Sequence, residues 1–166
     1  MPKVHFKRRI RHTPDDMLSL VTNVEDYPTY INLISVVRIL SRESIGENKE
    51  KFIADVGVQY KFISEFFCSE VNVDKAAKTL SIGKAGHGSA VRQLKNNWKF
   101  LELGDGSTLI DFRLDVKMKA APLEFLIKIK FDKAAESIIN AFERRADQIF
   151  EKVGDETYDH RNEISI

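Results

Sequence analysis

Between Pro122 and Gly154 the chain carries neither glycine nor proline, and no other stretch constrains the fold as strongly. At its start Leu123, Phe125, Ile127, Ile129 and Phe131 alternate like a strand, while Leu123, Ile127, Phe131 and Ala134 also fit a helix. The downstream residues decide for helix. Ile127, Phe131, Ala134, Ile138, Phe142 and Ile149 keep helical spacing, with Glu136, Asn140, Glu143, Arg144 and Asp147 on other faces. One helix of roughly 30 residues would run ~45 Å at about 1.5 Å per residue. A rod of that length with one apolar stripe needs a sheet to lie against. Gly154 is the expected C-cap. Residues 1–154 then read as one domain and 155–166 as a polar, disordered tail.

The sheet is written upstream. Val4, Phe6 and Ile10 share one side of an extended segment, with Arg8 as a basic exception. Thr13-Pro14-Asp15-Asp16 then offers an N-cap, a proline at the first helical position and acids that favour the positive end of the helix dipole. The short helix that follows should turn Met17, Leu18, Leu20 and Val21 inward. A second short helix or turn is expected through Glu25–Ile31, interrupted at Pro28. From Ser35 onward, short period-two runs alternate with turn formers. Phe52, Ala54, Val56, Val58, Tyr60 and Phe62 make one apolar strand face. Leu94, Asn96, Trp98 and Phe100 share a parity on a later strand, as do Ile110, Phe112, Leu114, Val116 and Met118 on the next. The connectors Ser44–Asn48, Asp74–Ala77 and Gly104–Ser107 are short enough for hairpins, so the strands should form an antiparallel meander rather than a parallel βαβ sheet.

The expected architecture is therefore α+β: a curved antiparallel sheet of about seven strands wrapped around a long C-terminal helix, with two short helices after the first strand. Where such a sheet and a single helix do not fit everywhere, an apolar cavity can open between them, the usual form of a small-molecule site.

Bulk properties exclude several function classes. At 166 residues the chain can bury about 70% of its unfolded surface, and its 43% hydrophobic content is that of a globular domain. Basic and acidic residues, 26 and 25, nearly cancel, so no overall field draws the molecule to DNA. One cysteine, Cys68, precludes an internal disulfide and a cysteine-held metal, and permits a reducing compartment. No apolar run has signal-peptide or membrane-spanning length. The expected location is the cytoplasm, with peripheral contact at the inner face of a membrane left open.

Three strings in order then point to one family. Val24-Glu25-Asp26-Tyr27-Pro28-Thr29-Tyr30 resembles a D-Y-P-x-aromatic segment, Leu94-Lys95-Asn96-Asn97-Trp98-Lys99-Phe100 an L-x-N-x-W-x-F strand, and Ala141-Phe142-Glu143-Arg144-Arg145-Ala146 an A-F-x-x-R-A helix signature. Together they resemble the coenzyme Q-binding branch of the START-like polyketide cyclase/dehydrase superfamily, whose bacterial members are also called oligoketide cyclases or ribosome-association toxins. The resemblance runs from about Val4 to Gly154. It departs from the family pattern at Asn32-Leu33, where relatives often have Pro-Trp, and at Ser89-Ala90-Val91, where they often have Gly-Pro-Phe.

The resemblance implies a helix-grip fold with a tunnel for a long apolar molecule, ubiquinone being the favoured ligand and no catalytic cofactor being required. The residues expected to line it are Tyr27, Tyr30, Leu33, Val56, Val58, Tyr60, Val91, Trp98, Phe112, Leu114, Ile127, Phe131 and Ile138. The tyrosines could offer a ring and a polar tip to a quinone.

Catalytic constellations are scarce. The serines lack a G-x-S-x-G setting, and His5, His12, His87 and His160 lack metal-ligand spacing. His87 between two glycines reads as an exposed loop histidine, and Asp55 as a solvated carboxylate rather than the partner of Glu65 in an acid–base pair. Three readings follow: a non-catalytic binder or chaperone of ubiquinone or a related lipid in support of respiration; a polyketide cyclase/aromatase using groups such as Tyr60, Asn96 and His87; and a ribosome-binding protein that interferes with subunit association through the basic run Lys7, Arg8, Arg9, Arg11 and His12. The first is favoured. The basic run itself reads as a solvated strand face.

Overall fold

The computed structural model describes residues 3–60, 63–86, 91–118, 121–159 and 161, with side chains for all of these except 60, 63 and 121–131. The chain opens with strand β1 (Lys3–Ile10), followed by helix α1 (Pro14–Thr22). The helix begins as its sequence dictates: the Thr13 hydroxyl accepts a hydrogen bond from the Asp16 N–H at 3.2 Å, and Pro14 takes a position whose missing N–H costs nothing. Met17, Leu18, Leu20 and Val21 are all buried. A 3-10 turn (Val24–Asp26) and a one-turn helix α2 (Tyr27–Tyr30) follow. Pro28 does not interrupt this second element. It sits in the first turn of α2, where a proline needs no donor.

Six strands come next: β2 (Ile34–Gly46), β3 (Lys49–Tyr60), β4 (Ile63–Asp74), β5 (Thr79–Ala85), β6 (Val91–Glu102) and β7 (Thr108–Met118). They pair as a meander, and β1 closes the far edge against β7, giving the order β1-β7-β6-β5-β4-β3-β2 with every described pairing antiparallel. The three expected hairpins are present. At one of them the Asp74 carboxylate accepts the N–H groups of Ala76 and Ala77, which fixes the turn and leaves Lys78 at φ 56°. At another Gly106 holds φ 85°, a conformation glycine adopts without strain.

Helix α3 (Ala121–Ile149) is 29 residues long and lies against the apolar face of the curved sheet. Its buried stripe runs through Ala135, Ile139, Phe142 and Ala146, one residue round from much of the expected one. Ala134 and Ile138 are half-buried, and Ile149 is 47% exposed. Small residues explain the offset, because alanines at the contact let the helix approach the sheet closely while contributing little to a stripe read from large side chains.

The helix also stops five residues before Gly154. Instead of continuing, the chain turns back on the residue that follows β1: the Val153 N–H donates to the Arg11 carbonyl at 3.0 Å, and the Arg11 guanidinium donates to the carbonyls of Val153 and Gly154. Gly154 serves a different need from the expected cap. It has φ 76°, and a Cβ there would collide with Asp105. Asp105 is the centre of a polar clasp, accepting from Arg9, from the Ser107 hydroxyl and backbone, and from the Asp155 N–H. Burial alone would raise its carboxyl, but the hydrogen bonds from Ser107, Asp155 and Arg9 outweigh that and hold it well below the usual carboxylate range. Tyr158 lies beneath the Arg9 guanidinium, 5.5 Å from ring centroid to Cζ.

These contacts revise the reading of the basic run. Arg8, the exception on β1, points inward and donates to Asn140 on α3 at 2.5 Å. Arg9 and Arg11 hold the C-terminal segment. His12 is fully buried, with its ring nitrogens 2.7 Å from Asp147 Oδ1 and 3.1 Å from the Glu151 carbonyl. Only Lys7 of the five remains on the exposed face.

Candidate ligand cavity

The apolar face of the sheet changes character along its strands. On β3, Phe52 and Ala54 are 1% exposed, whereas Val56 and Val58 are half-buried. On β7 the sequence runs from buried Ile110 and Phe112 to half-buried Leu114 and Val116. On β4 it runs from buried Val73, Val71 and Ser69 to half-buried Phe67 and Glu65, and on β6 from Phe100 and Trp98 toward Leu94. All four gradients point to the same end of the sheet, because the strands are antiparallel and in register: Val58 pairs with Glu65, Val56 with Phe67, Leu94 with Val116 and Asn96 with Leu114.

At that end the sheet and α3 flank a partly open cavity of about 310 Å³. Its floor is the half-buried residues just named, with Ile82 of β5 and Met118 of β7. Ala134, Ile138 and Phe142 of α3 lie across from them, and Val24, Tyr27, Ile31, Leu33, Ile34 and Val37 come from the segment spanning the first helices and β2. The volume lies at the lower end of the ~300–1,000 Å³ range of ligand pockets.

Few polar groups face this space, and most are already engaged. The Tyr27 hydroxyl donates to the Val21 carbonyl, and burial pushes its pKa up, with Tyr30 adding to the rise. Ser69 donates to the Ala54 carbonyl at 3.1 Å. Asn96 donates to the Arg113 carbonyl at 2.9 Å and accepts from the Trp98 indole N–H at 2.8 Å, so both ends of its amide are satisfied. Glu65 differs. Among the described residues it has no hydrogen bond or ion pair, and it is the sole lining carboxylate.

The structure brings together Tyr27, Leu33, Val56, Val58, Val91, Trp98, Phe112, Leu114 and Ile138 of the expected lining set. Tyr30 is not on the wall. Its ring packs edge-on against Tyr27 and Phe142 with the Arg145 guanidinium over it, and its hydroxyl is buried without a partner among the described residues. Burial, with a further push from Asp26 and an opposing one from Arg145, raises that hydroxyl above the usual tyrosine range. The side chains of Tyr60, Ile127 and Phe131 lie outside the described residues.

Sequence reasoning missed the β4 contribution, Glu65, Phe67, Ser69 and Val71. The signal was there: these residues share a parity, and the hairpin between β3 and β4 sets them opposite Val58, Val56, Ala54 and Phe52. Asp55 pairs with Cys68 on the opposite face from Glu65 and accepts a hydrogen bond from Arg38 at 3.3 Å, so Asp55 and Glu65 do not form an acid–base pair. Cys68 itself has a thiol pKa pushed up by partial burial and by Asp55. His87 lies outside the described residues. Among the described residues no group of His, Cys, Asp and Glu could hold a metal ion, and no helix is long and apolar enough to cross a membrane.

Residues 10–143 match the family model for polyketide cyclase / dehydrase and lipid transport. The chain belongs to this family. Its START-like fold is shared with the aromatase/cyclase Zhui of Streptomyces, at TM-score 0.74 and 15% identity, with 89% of this chain and 94% of that one covered. The 18 kDa protein CC1736 of Caulobacter crescentus is similar at 26% identity and TM-score 0.74, over 90% and 98% of the two chains. Among curated members of the family, the ribosome association toxin RatA of Rickettsia prowazekii is 29% identical over 139 residues, covering 83% of this chain and 91% of its own.

Proposed function

We propose that the chain binds and shields a hydrophobic small molecule without transforming it, and that the ligand is ubiquinone or a related isoprenoid lipid handled in support of respiration. The observation that carries the reading is the cavity. Folding ordinarily fills the space between a sheet and its covering helix at close to crystal density. Here four strands instead present half-buried valine, leucine and phenylalanine to a partly open cavity. Apolar surface held in this way gains about 25 cal/mol per Å² when a ligand removes it from water. Binding rather than turnover fits the polar inventory, because Tyr27, Ser69 and Asn96 are committed to the protein itself. The family's description, which includes lipid transport, agrees with such a ligand.

Organic extraction of the purified protein followed by mass spectrometry is the test. A quinone or prenyl lipid in near-stoichiometric amount is the expected result. A ligand-free protein that also refuses added quinone would count against the reading.

A second reading, contact with the ribosome, is favoured by the likeness to RatA. Such contact would require a surface other than the one expected from the sequence, since Arg8, Arg9, Arg11 and His12 are tied to the protein's own groups. Co-sedimentation with ribosomal subunits that weakens steeply with salt would support it.

A further inference from the structure

Among the described lining residues, Glu65 is the polar one whose side chain makes no hydrogen bond or ion pair with the protein. It is a half-buried member of the cavity lining on β4, paired across the strands with Val58 and one step along the same face from Phe67. A carboxylate is an acceptor only. A hydrogen bond to a charged group is among the stronger ones available. The donors on the lining are turned elsewhere: the Asn96 amide donates to the Arg113 carbonyl, and the Ser69 and Tyr27 hydroxyls donate to the carbonyls of Ala54 and Val21.

We propose that Glu65 makes the cavity selective for a ligand that donates a hydroxyl proton, namely the reduced quinol form of a prenylated aromatic, or a phenol of the same shape, over the oxidised quinone. The inference rests on reading the cavity as a site for such a ligand. A quinol O–H can donate to the Glu65 carboxylate. The oxidised ring presents acceptor oxygens only, and these set lone pairs against the carboxylate's own. No electron moves to or from the protein. The discrimination is of the kind in which a site built for a hydroxyl rejects the analogue that lacks it.

The chain's one tryptophan, Trp98, lines the cavity, so its fluorescence reports occupancy. Decylubiquinol, held reduced under anaerobic conditions, decylubiquinone and an alkylphenol of matching chain length are titrated into the purified protein. The expected result is that the quinol and the phenol bind at least tenfold more tightly than the quinone. In Glu65→Gln, whose amide also donates, that ratio should fall to near one, and in Glu65→Leu the preference should likewise be lost, with all three ligands binding about equally. Thermal melts by circular dichroism establish that the variants are folded, and the ratio within each variant is independent of its stability. Equal binding of quinol and quinone by the unaltered protein, or a preference that survives Glu65→Leu, overturns the assignment while leaving the hydrophobic-ligand reading intact. Failure of all three ligands to bind overturns both.

Discussion

The two ends of the sheet–helix interface are built from the same strands and the same two-residue period, yet one is filled and the other hollow. At the filled end Phe52, Leu80, Phe100 and Ile110 meet Met17 and Val21 of α1 and Ile139 of α3, all 6% exposed or less. Around them the polar clasp of Arg9, Asp105 and Asp155, the Arg11 contacts and the His12–Asp147 pair fasten the first strand to the last segment of the chain. At the junction Phe142 is set edge-on to Tyr27 and Trp98, with ring centroids 5.2 and 5.3 Å away. Beyond it the same faces line the cavity. Close packing and open space are thus separated along one helix, so the cavity coexists with a well-packed core.

The largest effect that would sharpen this contrast comes from one strand. Ile110→Ala, at the filled end of β7, should cost about 2–5 kcal/mol in urea denaturation, whereas Leu114→Ala, four residues on and half-buried beside the cavity, should cost about 1–2 kcal/mol. Equal losses would mean the two ends are packed alike. Next in size is the clasp. Because Asp105 has its carboxyl held low in the folded state, its ionised form contributes stability that is present above the ordinary aspartate pKa of about 3.9 and is lost as pH falls below it. Asp105→Asn should therefore lose on the order of 1–2 kcal/mol at pH 7, allowing for partial solvent screening. The gap from the unaltered protein should close in acid. A pH series of thermal melts checks both. The smallest stability change belongs to the hollow end: Ala134→Leu adds methylenes into the cavity from α3 and should stay within about 1 kcal/mol of the parent. The same change should weaken decylubiquinone binding at least tenfold in a Trp98 fluorescence titration. A large destabilisation would show that the space is not free.

Much of this fold was legible in the residues. Thr13-Pro14 set the start of α1, Asp74 and Gly106 set their turns, and alternation in Phe52–Val58 and Ile110–Met118 chose the buried faces. Helical spacing beyond Ile127 correctly overrode strand-like alternation at the start of α3. What periodicity cannot report is whether an inward-facing side chain finds a neighbour. Val56 and Phe52 share a parity, and only the packing across the sheet tells filled core from cavity wall. The clasp was hidden for another reason. Arg9 and Asp105 lie 96 residues apart and His12 and Asp147 lie 135 apart, so no local pattern pairs them. Glu65 was visible as a charge on an apolar face, but its place opposite Val58 needed the hairpin register.

The central claim is that the cavity, and not the exposed surface, receives the hydrophobic guest. Methyl NMR of protein labelled at valine and leucine, titrated with decylubiquinone, addresses it directly. The account predicts saturable shifts at Val56, Val58, Leu114 and Val116, with Val21, Val73 and Leu80 at the filled end unmoved. Shifts confined to exposed Val36 and Leu40, or none that saturate, would contradict it.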